Sequence, residues 1–238
     1  MRLDKFLVEM SIGSRSQVKE LIKQKRISVN QKTVTSAKAQ INENKDIISL
    51  DGNQLVYEKF TYFMLNKPKG VISATEDKEH KTVIDLLSNE DYKNGIFPVG
   101  RLDKDTRGLL ILTNDGALAH NMLSPKKHVE KEYIAEVKGI MTEADKNSFE
   151  QGIVLKDFTC LPARLEIIAI NQEKETSRVK ITLKEGKFHQ VKRMVLACGK
   201  EVSDLKRIKM GNLLLDKTLK EGSYRRLTSE ELELLKKS

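Results

Sequence analysis

The sequence predicts an α+β fold: a small N-terminal module, then a larger domain with a mainly antiparallel mixed sheet and flanking helices. Two observations predict it. Strand-like and helical segments are mixed without the strict βαβ alternation of a parallel sheet. A first helix–helix–hairpin pattern also ends at a short connector, "YEKFT" (57–61), and a new strand-rich pattern begins beyond it. The 238 residues suit one large or two smaller domains, and the expected division is 1–59 and 60–238.

The elements follow in chain order. In "MRLDKFLVEM", Leu3, Phe6, Leu7 and Met10 repeat at helical spacing and define one apolar face. Ile12 and Gly13 interrupt it. Ser14 with Gln17 three residues on reads as a capping box that opens a second helix burying Val18, Leu21 and Ile22. Arg15, Lys19 and Lys23, spaced four apart, share one side of that helix. Lys25 and Arg26 lie just beyond, and Glu20 is the lone acid between Arg15 and Arg26. "ISVN" and "VTSAKAQI" read as short strands around Asn30–Lys32, and "ISLDGNQLV" (48–56) as a hairpin with Asp51-Gly52 at its tip.

In the larger domain, "YFMLNKPKGVIS" reads as strand, turn at Lys67-Pro68-Lys69-Gly70, strand. "TVIDLL" (82–87) is a short helix and "LLILT" (109–113) a buried strand closed by "NDG". "GALAHNML" starts a helix, "EYIAEVKG" and "VKITLKEG" are strands, and "TEADKNSFEQG" is an amphipathic helix. "FHQVKRMVLACG" is a helix that stops at Gly199. "TSEELELLKK" carries a capping box from Thr228 to Glu231 and ends in lysines, which suits the helix dipole.

Composition narrows the chemistry. Lys plus Arg is 43 against 34 Asp plus Glu, a net charge of +9. Such an excess favours a polyanionic partner, because bound cations release counterions from phosphates. No segment reaches the roughly 20 apolar residues of a membrane span, and the N-terminus lacks the apolar run of a secretory signal. Cys160 and Cys198 stand apart, which points to a reducing cytoplasm without a disulfide framework. With no CxxC and His80, His120, His128 and His189 scattered, no metal site is expected. GxxxxGK[ST], GxGxxG and GxSxG are absent, so no nucleotide cradle or hydrolase elbow is indicated.

The stretch "VGRLDKDTRGLLILTNDG" (99–116) raises the sharpest question, since three aspartates flank one apolar strand. Asp115 reads as a turn residue that bonds its own backbone. Asp105 and Arg107 read as a solvated pair. Asp103 follows Gly100, which permits an unusual backbone, and Leu102, which anchors the loop. A carboxylate there could sit at the lip of the sheet, though spacing alone does not single it out.

That stretch resembles the signature of the pseudouridine synthases that modify ribosomal RNA. The resemblance extends in order to "YFMLNKPKGVISAT", "EKEYIAEV" (130–137) and "LKEGKFHQVKRMVLACG" (183–199). The N-terminal module resembles the RNA-binding domain named after ribosomal small-subunit protein four. Phe188-His189, where large-subunit relatives tend to carry Asn-Arg, and "TEDKEHKTV" resemble the small-subunit branch, the RsuA family.

The resemblance implies isomerisation of a uridine to pseudouridine in 16S rRNA, free or within a partly assembled small ribosomal subunit, by a cytoplasmic monomer without a cofactor. Asp103 matches the essential aspartate, Tyr133 the aromatic that stacks on the target uracil, and Lys192 the basic partner of the aspartate; Arg101 is expected at the substrate uridine. Arg2, Lys5, Arg15, Lys19, Lys23 and Arg26 are expected to meet RNA. The chemistry cleaves the C1′–N1 bond, turns the base and joins C1′ to C5, with no redox change and no water consumed. A carboxylate would attack C1′, remove the C2′ proton or attack the base, and each route needs its ionised form, which a nearby cation favours. Two other readings stay open at this level: a 23S rRNA pseudouridine synthase of the same fold, and a non-catalytic RNA-binding assembly protein.

Overall fold

Ser14 accepts from the Gln17 amide at 3.4 Å while the Gln17 side chain accepts from the Ser14 amide at 2.8 Å, so the expected capping box forms. The structure is a computed structural model that describes residues 1–10, 12–55, 57–93 and 95–238. These divide into two compact units: Met1–Thr61 with Asp91–Ile96, and Tyr62–Glu90 with Phe97–Ser238.

In the first unit the described residues form helices α1 (Leu3–Glu9) and α2 (Arg15–Lys23) and four short strands: β1 (Ile27–Val29), β2 (Lys32–Thr33), β3 (Ile48–Leu50) and β4 (Asn53–Leu55). The sheet is antiparallel, in the order β2-β1-β3-β4. Both hairpins turn through two residues with positive φ, Asn30-Gln31 and Asp51-Gly52. Such turns match the twist of the paired strands. Val56, the last residue of the second hairpin segment, lies outside the described residues. Leu3, Phe6, Leu7, Val18, Ile22, Ile27, Ile41 and Ile48 make the core.

The strand expected over "VTSAKAQI" does not form beyond Thr33. The carbonyls of Ala37 and Ala39 instead accept from the amides of Asp4 and Leu3. Those amides open α1 and have no partner within the helix, so this segment caps a helix rather than extending a sheet.

The second unit carries β5 (Tyr62–Lys67), β6 (Phe97–Pro98), β7 (Arg107–Thr113), α3 (Gly116–Leu123), β8 (Lys131–Lys138), α4 (Glu143–Gln151) and β9 (Arg164–Asn171). It continues with β10 (Thr176–Leu183), α5 (Gln190–Ala197), β11 (Glu201–Met210), β12 (Leu213–Leu214), β13 (Tyr224–Arg226) and α6 (Ser229–Lys236). The main sheet runs β13-β5-β7-β11-β8-β10-β9, with β6 on β7 and β12 on β11. Every pairing is antiparallel except β7 with β11. The expected α+β class with a mainly antiparallel mixed sheet is therefore what the chain forms.

Strand β7 is buried from Gly108 to Thr113 because it is covered on both faces. Leu109 and Ile111 pack with Leu118 and Met122 of α3 and Leu235 of α6, while Leu110 and Leu112 alternate to the other face. Gly108 has a φ of 103°, and a Cβ there would lie 2.2 Å from the Arg207 carbonyl. Only glycine lets β11 approach this closely.

Three local expectations change. "TVIDLL" makes a single 3₁₀ turn, Ile84–Leu86. Residues after Gly70 form no strand partner for β5; β7 and β13 take its two edges. Strands β9 and β11 were not expected. In β11 the buried positions include Arg207, so the alternation of apolar residues that marks a strand is interrupted. No helix among the described residues is long and apolar enough to cross a membrane.

Candidate active site

The loop between β6 and β7 is held from beneath by a buried lysine. Lys67, at the end of β5, is 0% exposed. Its ammonium donates to the carbonyls of Pro68 (3.0 Å), Asp103 (3.1 Å) and Thr106 (2.9 Å), with Lys104 at 3.5 Å. Burial pulls its pKa down to about 8, against the opposing charges of Asp105 and Asp103. Three carbonyls within 3.1 Å match the three donors of an ammonium, and they take up its charge. The residues after Gly70 brace the same loop. Ser73 Oγ donates to the Leu102 carbonyl and accepts from the Leu102 amide at 2.8 and 3.0 Å, and the Gly70 amide donates to the Lys104 carbonyl at 2.8 Å. The polar groups of "GVIS" thus go elsewhere than to a ladder with β5: Gly70 and Ser73 bond the loop, while the Ile72 amide donates to the Lys81 carbonyl and its own carbonyl accepts from the Val83 amide. Gly100 takes the positive φ of 77° that starts the excursion.

The loop presents the Asp103 carboxylate to the first turn of α5. Lys192 Nζ lies 3.2 Å from Asp103 Oδ2 and 2.6 Å from Asp105 Oδ1. His189 Nε2 lies 3.6 Å from Asp103 Oδ1. Burial disfavours the Lys192 charge, but the two carboxylates outweigh it and hold the ammonium above its ordinary value. Burial likewise disfavours the Asp105 charge, and Lys192 outweighs it, so that carboxyl lies below its usual range. Gln190, 3% exposed, fixes the turn before α5 by accepting from the Lys187 amide (2.9 Å) and donating to Glu185 (2.6 Å).

Asp103, Arg101, Tyr133 and Lys192 line one open pocket of about 430 Å³. Tyr133 reaches it from β8, where it is 8% exposed and opposite Ile181 and Arg207 in register. Arg101 is exposed at the rim. A neighbouring depression of about 880 Å³ shares Arg101, Leu102 and Asp103 and adds Phe188.

Asp105 and Arg107 are not each other's partners. Asp105 bonds Lys192, whereas Arg107 forks onto Asp204 at 2.5–3.1 Å and reaches Glu221 at 3.3 Å. Lys69 adds a contact to Asp204 at 2.7 Å. Hydrogen bonding from Arg107, against burial and with help from Lys69, draws the Asp204 carboxyl down to about 2. Asp115 accepts from the amides of Ala117 and Leu118 and caps α3, so it does bond its own backbone. Lys67, Gln190 and Asp204 were not singled out in the sequence, and His189 entered only with Phe188 as a mark of the small-subunit branch, not as a neighbour of Asp103. "NKPKG" marks a turn, and nothing in it shows that its first lysine points inward.

In the first unit, Arg2 bonds Asp4, Lys5 sits 3.7 Å from Glu9, and Arg26 forks onto Asp51. Arg15, Lys19 and Lys23 stand exposed along α2 with no ion pair within 4.0 Å among the described residues.

The family described as RNA pseudouridylate synthase matches residues 61–197, and the S4 domain matches residues 1–47. The chain belongs to the RNA pseudouridine synthase family. This pseudouridine synthase is 43% identical to an RNA pseudouridine synthase of Bacillus subtilis, over 99% of this chain and 98% of that one. It is 39% identical to the ribosomal large subunit pseudouridine synthase B of Bacillus subtilis, over 99% of this chain and 95% of that one. It is 38% identical to the ribosomal small subunit pseudouridine synthase A of Escherichia coli K12, over 98% of both chains. A crystal structure of a pseudouridylate synthase, 36% identical, superposes with a TM-score of 0.68 over 99% of both chains.

Proposed function

We propose that this pseudouridine synthase isomerises a uridine of 16S rRNA, with Asp103 acting at the sugar. The observation that carries the catalytic part is the shared pocket: one carboxylate, one nearly buried tyrosine and one lysine line it together. Asp103 is 27% exposed, so a substrate can reach it. Tyr133 offers a ring on which a freed uracil can stack while it turns. Lys192 orients Asp103 and neutralises Asp105 beside it. Arg101 at the rim meets the phosphate or ribose of the target nucleotide.

The target uridine must leave any helix it occupies, which costs a few kcal/mol. Phosphate contacts made by the S4 domain, within residues 1–59, offset that cost. Arg15, Lys19 and Lys23 are the first choice for those contacts, because Arg2, Lys5 and Arg26 already face acids of their own unit. Lys19→Ala with Lys23→Ala is expected to weaken 16S rRNA binding and to flatten the slope of log affinity against log salt by about 2. An unchanged slope in filter-binding titrations removes α2 from the interface.

The choice of 16S over 23S rRNA rests on Phe188-His189 and on "TEDKEHKTV". The relatives that act on each subunit stand at nearly equal identity. Such an enzyme works in the cytoplasm, where rRNA is made, and one chain carries the whole pocket, as a monomer requires. Tritium release from rRNA labelled at uracil C5 tests the substrate. Release from 16S transcripts is expected, and release confined to 23S transcripts reassigns it.

A further inference from the structure

Phe188 is 73% exposed, more than any other phenylalanine or tyrosine among the described residues. It is not loose: its ring stacks on His189 with centroids 3.8 Å apart and planes 18° apart. His189 is held at a positive φ of 50°, in the left-handed region, as the N-cap of α5. A non-glycine residue there carries strain that a site can use to aim a side chain. His189 also reaches Asp103, so the stacked pair is registered against the proposed reacting carboxylate. Both rings line the depression beside the catalytic pocket, with Arg101, Lys104 and Lys187 on its walls. An apolar ring face with cations around it suits a nucleobase whose flanking phosphates lie on the basic walls.

We propose that Phe188, backed by His189, is a stacking platform for the RNA base next to the target uridine. The inference rests on the RNA isomerase reading and deepens it. The platform holds the strand in register while Tyr133 takes the target base. It reads a base by its face, so it fixes position without dictating sequence.

Steady-state tritium release and filter binding on 16S rRNA transcripts test this with Phe188→Leu, Phe188→Tyr and Phe188→Trp. Phe188 is exposed, so the fold should tolerate each change, which matching thermal melts verify. For Phe188→Leu, KM and the dissociation constant are expected to rise about 5- to 150-fold, the loss measured for one base–aromatic stack. kcat should stay within about twofold, and Tyr and Trp should restore KM to within about threefold. Unchanged affinity in Phe188→Leu, or no rescue by Tyr and Trp, overturns the platform. A fall in kcat with KM unchanged overturns it too, because Phe188 would then act on the target base itself. If the wild-type protein releases no tritium from either rRNA, the isomerase reading fails; the binding series still decides the platform.

Discussion

Asp103→Asn is expected to abolish tritium release, lowering kcat by at least about 10³-fold while RNA affinity stays within about threefold. The substitution keeps the shape of the side chain and its place beside Lys192, but removes the charge. Every route to C1′–N1 cleavage that uses this residue needs a carboxylate. The carboxylate also has little to do with folding: it is partly exposed, and the loop is held through the backbone of residues 102–106 rather than through this side chain. Stability should therefore hardly change. Equal release by wild type and variant, at equal protein and RNA, sinks the assignment of Asp103. Release lost together with RNA binding points to a folding role instead.

The second large effect is expected at Lys67. Lys67→Met keeps the length and apolar stem of the side chain but leaves the carbonyls of Pro68, Asp103 and Thr106 without their shared donor. A buried unpaired polar group costs about 1–3 kcal/mol, so the loop should shift to hydrate those oxygens. A shift of about 1 Å at a reacting group can cost about 10²-fold in rate. The expected outcome is a kcat at least about 100-fold lower, with rRNA affinity kept. The loss of stability should be modest, about 2 kcal/mol, since removing a buried charge offsets part of the lost bonding. Chemical denaturation alongside the release assay checks both. Wild-type kcat in a folded Lys67→Met protein would show that the loop holds itself.

Much of the fold was legible because local signals and tertiary structure agree. The capping boxes at Ser14 and Thr228 form where the spacing places them, and the apolar run at Leu109–Thr113 is the buried strand that positions the loop. What was not legible involves polar residues turned inward. Lys67 and Arg207 occupy buried strand positions, so β11 loses its alternation and the loop's support is invisible. The Arg107–Asp204 pair joins residues far apart in the chain, and the nearer Asp105 looked the better partner. Asp103 was one of three aspartates on spacing alone. Family resemblance singled it out, and the structure adds what spacing could not: a pocket with Tyr133 and Lys192 on its other walls.

Pseudouridine mapping of total rRNA from a strain lacking this gene, complemented with the wild-type or the Asp103→Asn gene, tests the central claim most directly. One 16S pseudouridine is expected to disappear on deletion, to return with the wild-type gene and to stay absent with Asp103→Asn. Unchanged modification of both rRNAs, or recovery with Asp103→Asn, would contradict it.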